Sequence, residues 1–159
     1  MKQFKRKPTD DKKNTVKFQD LAKAINHYLN EDKVVLTFQG YRETLLKYFR
    51  LADNNLLDSF ELMTECNLWS NYVIDVEGIV QAKYLSLILE IDSLKALIDK
   101  QRLNEDLEKQ IAVLIKKSKD FNLFLKLLNG QKRFFERAFY HCVKVYSRGI
   151  NTLRYKNLD

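Results

Sequence analysis

The chain is poor in the residues that bend and punctuate a backbone. Its 159 residues include four Gly and one Pro. All-β and loop-rich folds need such residues at their turns, so the scarcity points to long helices. The two cysteines, Cys66 and Cys142, lie far apart in the sequence, each with apolar neighbours. They are expected to be buried free thiols, not a disulfide scaffold. Only two histidines occur, and neither His27 nor His141 sits in a Cys or carboxylate cluster of metal-binding spacing. No GxxxxGK[ST], GxGxxG, HExxH or CxxC pattern is present, so phosphate loops, dinucleotide loops and zinc sites lose their usual signatures. These absences argue against an enzyme, a cofactor and a metal. No apolar run approaches the roughly 18 residues of a membrane span, and the start "MKQFKRKPTDD" lacks a signal-peptide core. The expected location is the cytoplasm, with packaging into a particle as a variant of it.

Charge is what the chain has in abundance, and its distribution is uneven. Net charge is +7. Residues 1–17 carry a balance of +5, residues 18–115 a balance of −6, and residues 116–156 a balance of +9. A basic start, an acidic middle and a basic C-terminal third make a bipolar molecule. Such basic segments suit phosphates or an anionic membrane surface, or the acidic middle of another copy.

Hydrophobic spacing predicts an all-α fold. Residues 1–15 are polar and interrupted by Pro8, so they read as a basic flexible arm, and 16–159 read as one domain. Phe18, Leu21, Ala22, Ile25, Tyr28 and Leu29 recur at three- and four-residue steps, which predicts a helix over 16–30. "VVLTF", 34–38, suits an edge strand or an apolar connector. A second helix over about 41–51 would bury Tyr41, Leu45, Tyr48 and Phe49. After "ADNN", a long helix is predicted over about 56–98. Val73, Val80, Leu87 and Leu94 repeat every seven residues, with Tyr84, Ile91 and Ile98 as the partner row; that period marks a packing seam. A polar turn within 99–110 leads to a last helix over about 105–153, with Gly130 as a candidate kink. The two long helices should fold back as an antiparallel hairpin. Trp69 and Tyr72 are expected in the core, and Asp75, Glu77, Glu90, Asp92 and Asp99 on a solvated face.

The C-terminal helix carries the sharpest functional signal. On a wheel at about 100° per residue, Lys119, Lys126, Arg133, Arg137, Lys144 and Arg148 fall on one side. Phe121, Leu128, Phe135, Phe139, Cys142, Tyr146, Ile150 and Leu153 fall on the other. Lys117 and Lys132 land on or beside the apolar side. A continuous helix would extend the basic stripe over about 43 Å at roughly 1.5 Å per residue. Aligned cations repel one another, each neighbour costing a few tenths of a kcal/mol, and an external polyanion relieves the repulsion. The candidate nucleic-acid-binding residues are therefore Lys116, Lys119, Lys126, Lys132, Arg133, Arg137, Lys144, Arg148 and Arg154, with Tyr140, and Phe134 beyond it, placed to stack on an unpaired base. Lys2, Lys5, Arg6, Lys7, Lys12 and Lys13 of the arm would add phosphate contacts. The alternatives are a solvated or intersubunit-paired basic face, and a membrane surface or other anion.

Two stretches carry a family resemblance. In "FELMTECNLWSNYV", Phe60 and Glu61 are followed after six residues by Leu68, Trp69 and Ser70, then Tyr72. Lys119–Asp120 and Ser147–Arg148–Gly149–Ile150 lie in the last helix. The pattern over about 60–152 resembles the T-even phage recombination mediator (UvsY-like) family. The resemblance implies a ring-forming helical protein that binds single-stranded DNA and helps load a recombinase. The Tyr- and Gly-bearing loop of that family is replaced here by "LIDKQRLNED", and the first 55 residues have no counterpart in it.

Two kinds of function follow as expectations. One is a non-enzymatic, homo-oligomeric nucleic-acid-binding protein of a phage or mobile element, acting beside a recombinase or polymerase. The other is a structural or assembly protein, such as a virion subunit, held by acidic-to-basic contacts between copies.

Overall fold

A computed structural model describes residues 8–30, 34–52, 55–100 and 105–156, with side chains described over 18–30, 34–52, 55–98 and 105–155. Four helices follow in order: α1 (Pro8–Leu29), α2 (Tyr41–Arg50), α3 (Leu56–Lys100) and α4 (Glu105–Lys156). The fold is all-α, with α3 and α4 as a long helical hairpin. The polar turn predicted between them falls largely on residues outside the described set.

Local chemistry explains the boundaries. α1 begins at Pro8, eight residues before the predicted start. Proline's fixed φ suits a first helical turn, where its missing N–H costs nothing. Residues 8–15, assigned to the arm from sequence, thus join α1, and residues 1–7 lie outside the described residues. α2 follows Gly40, whose φ of +81° lies in the left-handed region, readily adopted by glycine. Asn55 caps α3: its Oδ1 accepts the Asp58 N–H at 3.0 Å, the bond that satisfies an otherwise orphan donor of a first turn.

The chain's packing sorts into two compact units. The first comprises residues 1–36 and 79–127; the second comprises 37–78 and 128–159.

In the first unit, Phe18, Ala22, Ile25 and Leu29 of α1 are buried, as are Val80, Leu87 and Ile91 of α3 and Phe121 and Phe124 of α4. Phe18 stacks on Phe124 at 5.5 Å between ring centres, and Tyr28 stacks on Phe121 at 5.9 Å. The Tyr28 hydroxyl donates to Asp120 Oδ2 at 2.9 Å. Burial and that carboxylate raise the Tyr28 pKa above its ordinary value. The segment 34–38 forms no strand among the described residues. Instead Asn26 Oδ1 accepts the Leu36 N–H at 2.7 Å, and Asn26 Nδ2 donates to the Leu36 carbonyl at 2.7 Å. One amide side chain satisfies both backbone groups, so the extended run needs no ladder partner.

In the second unit, Tyr41, Cys66, Phe135 and Ala138 form a buried cluster, with Phe38, Leu45, Tyr48, Trp69, Phe134 and Phe139 packed around it. Trp69 meets Tyr41 edge-on at 5.5 Å and stacks on Phe135 at 6.2 Å. Its indole Nε1 donates to Thr44 Oγ1 at 3.1 Å, and the Thr44 hydroxyl donates to Glu65 Oε2 at 2.7 Å. Two core expectations fail here: Phe49 is 57% exposed and Leu153 51% exposed. α2 has only ten residues and turns Tyr41 and Thr44 inward, which leaves Phe49 at the rim, its ring tilted against Phe134 at 6.1 Å. Leu153 lies in the last turn of α4.

The seam predicted on α3 is present. Val73, Val80, Leu87 and Ile91 are buried, and Tyr84, Leu94 and Ile98 are half-buried. α4 passes through Gly130 without a break in its helix. A lone glycine weakens a helix by about 1 kcal/mol, too little to interrupt one flanked by buried Leu128 and Phe135.

Candidate functional site

The basic side of α4 is built by exclusion. Its apolar positions are drawn inward: Phe121, Leu128, Phe135 and Cys142 are buried, and Phe139, Tyr146 and Ile150 half-buried. A helix repeats every 3.6 residues, so burying one row of side chains turns the opposite row to solvent.

In the first unit, Lys116, Lys119 and Lys126 are exposed. In the second unit, Arg133, Arg137, Lys144, Arg148 and Arg154 are exposed, and so is Tyr140, at 66%. Among the described residues, no carboxylate oxygen lies within 4.0 Å of any of these eight cations.

Lys132 and Phe134 leave the set, and Lys117, placed beside the apolar side from sequence, is engaged as well. Lys132 is half-buried and pairs with Glu77 at 4.0 Å. Lys117 lies over the Tyr28 ring, 5.5 Å from its centre. Phe134 is half-buried, edge-on to Tyr48 at 5.5 Å and Phe135 at 5.4 Å, so it is a packing residue and not a base-stacking one. One exposed aromatic escaped the sequence reading: Tyr155, 73% exposed, falls about 20° from Lys126 on the wheel. The predicted helix ended at 153, two residues too soon to carry it. The arm cations lie outside the residues whose side chains are described.

Among the described residues, no group of three or more His, Cys, Asp and Glu side chains could hold a metal ion. His27 and His141 are exposed, and His141 meets the Tyr48 ring edge-on at 5.7 Å. Asp75, Glu90 and Asp92 are exposed as expected, and Asp99 lies outside the described side chains. Cys66 and Cys142 are free and buried. Their thiols hydrogen-bond to each other, which together with burial pushes the Cys66 thiol well above its ordinary pKa. The raised pKa keeps Cys66 in its thiol form, and the thiolate is the reactive form.

The second unit also holds an open groove of about 490 Å³ lined by Glu43, Leu46, Lys47, Arg50, Asp58, Glu61 and Leu62. It mixes both signs of charge and gathers no histidine or cysteine. None of the described helices is long and apolar enough to cross a membrane.

Comparison with known proteins finds no matching family model, no matching curated protein and no matching solved structure.

Proposed function

We propose that this protein is a non-enzymatic nucleic-acid-binding protein whose α4 cations hold a phosphate backbone. The observation that carries the reading is the exposed row Arg133, Arg137, Lys144 and Arg148 in the second unit, with no carboxylate within 4.0 Å among the described residues. Four like charges along one helix face repel one another, and a polyphosphate exchanges that repulsion for attraction while releasing counterions. Lys116, Lys119, Lys126 and Arg154 would add to the field. Tyr140, between Arg137 and Lys144, supplies a ring that could take the face of an unpaired base. A recombination or replication accessory role, in a phage or mobile element and beside a recombinase or polymerase, is the setting the family resemblance suggests.

The test is a titration with single- and double-stranded oligonucleotides at two salt concentrations. About six phosphate contacts on a single strand correspond to a log–log salt slope of about −4 to −5. Replacing Arg133, Arg137, Lys144 and Arg148 together with Gln should abolish binding and leave the helical circular dichroism intact. Binding that survives this fourfold change at low salt would remove the proposal.

The exposed acids Asp75, Glu90 and Asp92 of α3 favour a second reading, a structural or virion-assembly subunit whose acidic middle meets the basic third of the next copy. That assembly would dissociate as salt rises, in the absence of nucleic acid.

A further inference from the structure

Both cysteines stand in the seam of the hairpin. In the second unit, Ser59, Cys66 and Val73 of α3 recur at steps of seven residues, as do Phe135, Cys142 and Gly149 of α4, and all six are buried. Such rows are the ones that face a partner helix. Three contacts fix how they meet. Leu56 lies against Gly149, Phe60 lies 5.7 Å from Tyr146, and Trp69 stacks on Phe135 at 6.2 Å. This antiparallel register sets Cys66 opposite residues 138–142. Cys66 belongs to one buried cluster with Phe135 and Ala138. Cys142 follows Ala138 by one turn and is fully buried on the same side. There the two thiols meet in a hydrogen bond.

A disulfide asks for more than adjacency, because bridged Cα atoms lie within about 7 Å of each other. Helices come that close where their facing side chains are small. The seam supplies them: Ser59, Cys66 and Ser70 on α3, and Ala138, Cys142 and Gly149 on α4, are all buried. A Cβ placed on Gly149 would stand 3.7 Å from Leu56 Cα, so the two backbones nearly touch two turns beyond Cys142. We propose that Cys66 and Cys142 are a redox modification site, at which a peroxide forms an intramolecular disulfide that locks α3 to α4 within the second unit.

Cys142 reacts first. The hydrogen bond from the Cys66 thiol lowers the Cys142 pKa, while Cys66 keeps its proton. The Cys142 thiolate attacks one peroxide oxygen, the O–O bond breaks, and Cys142 becomes a sulfenic acid. The departing hydroxide takes up the proton that Cys142 gave up and leaves as water. The Cys66 sulfur then attacks the Cys142 sulfur. The S–S bond forms, the S–O bond breaks, and the hydroxyl leaves with the Cys66 proton as a second water. Two thiols thus give up two electrons and two protons, and one peroxide takes them. A peroxide suits fully buried thiols, since so small an oxidant enters through local openings of the fold. The bridge closes the long loop between two distant positions, which constrains the unfolded chain. It stands apart from the basic row, whose cations lie on the exposed side of α4.

The experiment treats the native full chain with a small excess of hydrogen peroxide and follows its intact mass. The product should be a single chain lighter by two hydrogen atoms, with no thiol left to alkylate after unfolding. Dithiothreitol should restore both thiols. The oxidised chain should unfold at a higher denaturant concentration than the reduced one. A native chain that stays unreacted, ends with added oxygen atoms, or links to a second chain overturns the proposal. The same treatment of the urea-unfolded chain should form the bridge far more slowly, because the register is lost; equal rates overturn the claim that the fold presents the pair. In Cys66→Ala, peroxide should leave the unfolding midpoint unraised, and a rise there would show that the stabilisation does not come from the bridge.

Discussion

Lys132 lies 4.0 Å from Glu77, joining α4 to α3 within the second unit. Its neighbour Arg133 faces solvent. One step along the helix thus separates a cation used for folding from one available to a ligand. Sequence alone grouped the two.

This difference is measurable. Lys132→Gln should change oligonucleotide affinity less than twofold, whereas Arg137→Gln should weaken it several-fold at low salt and lower the salt slope by about one phosphate contact. Equal losses from the two substitutions would show that the basic set is drawn wrongly.

Phe135 anchors the aromatic cluster of the second unit, fully buried and edge-on to Tyr41 at 5.4 Å. Truncating a buried Phe costs about 3–5 kcal/mol through lost burial and the cavity left behind. Phe135→Ala should therefore lower the denaturant midpoint strongly. Phe49→Ala, at an exposed ring, should move it little.

Gly130 offers the opposite outcome. A Cβ built there meets nothing within 4 Å, and the helix runs straight through it. Gly130→Ala should stabilise the protein by about 0.5–1 kcal/mol through helix propensity, a rise of about 2–4 °C per kcal/mol in Tm. At Gly149 a Cβ would stand 2.8 Å from Leu56 Cδ1, so Gly149→Val should destabilise. A loss of stability in Gly130→Ala would point to a kink that the helix needs.

Acid should probe the second unit through Glu65. Burial acts to raise its pKa, but the hydrogen bonds from Lys47 and Thr44 and the Lys47 charge outweigh burial, so the carboxyl sits below its ordinary 4.5. A group with a lowered folded pKa stabilises the fold above its unfolded value and loses that contribution as pH falls through the folded one. Thermal melts of the native protein should fall below about pH 4.5 more steeply than those of Glu65→Gln. Parallel curves would show that the ionised form contributes nothing.

Asn26 is the test of the connector. Asn26→Ala removes both bonds to Leu36 and leaves its N–H and carbonyl to find water, a cost of about 1–3 kcal/mol. Hydrogen exchange at Leu36 should quicken more than exchange within α1.

Much of the fold was readable because helices are written locally. The seven-residue spacing from Val73 to Leu87 names a seam whatever it packs against, and the opposed rows of α4 follow from the 3.6-residue period alone. The scarcity of Gly and Pro already excluded a β fold. The start of α1 was missed because polar composition argued for disorder, while a proline at a first turn is compatible with either reading.

Sequence by itself determined which residues can share a side of a helix, and so the exposed row of Arg133, Arg137, Lys144 and Arg148 was visible before any coordinates. Only the tertiary structure decided which distant partners meet: Glu77 for Lys132, Asp120 for Tyr28, Cys142 for Cys66, Leu36 for Asn26. The physical reason is range. Helical periodicity is set by hydrogen bonds four residues apart, whereas these contacts, from 10 to 92 residues apart, depend on how whole helices pack.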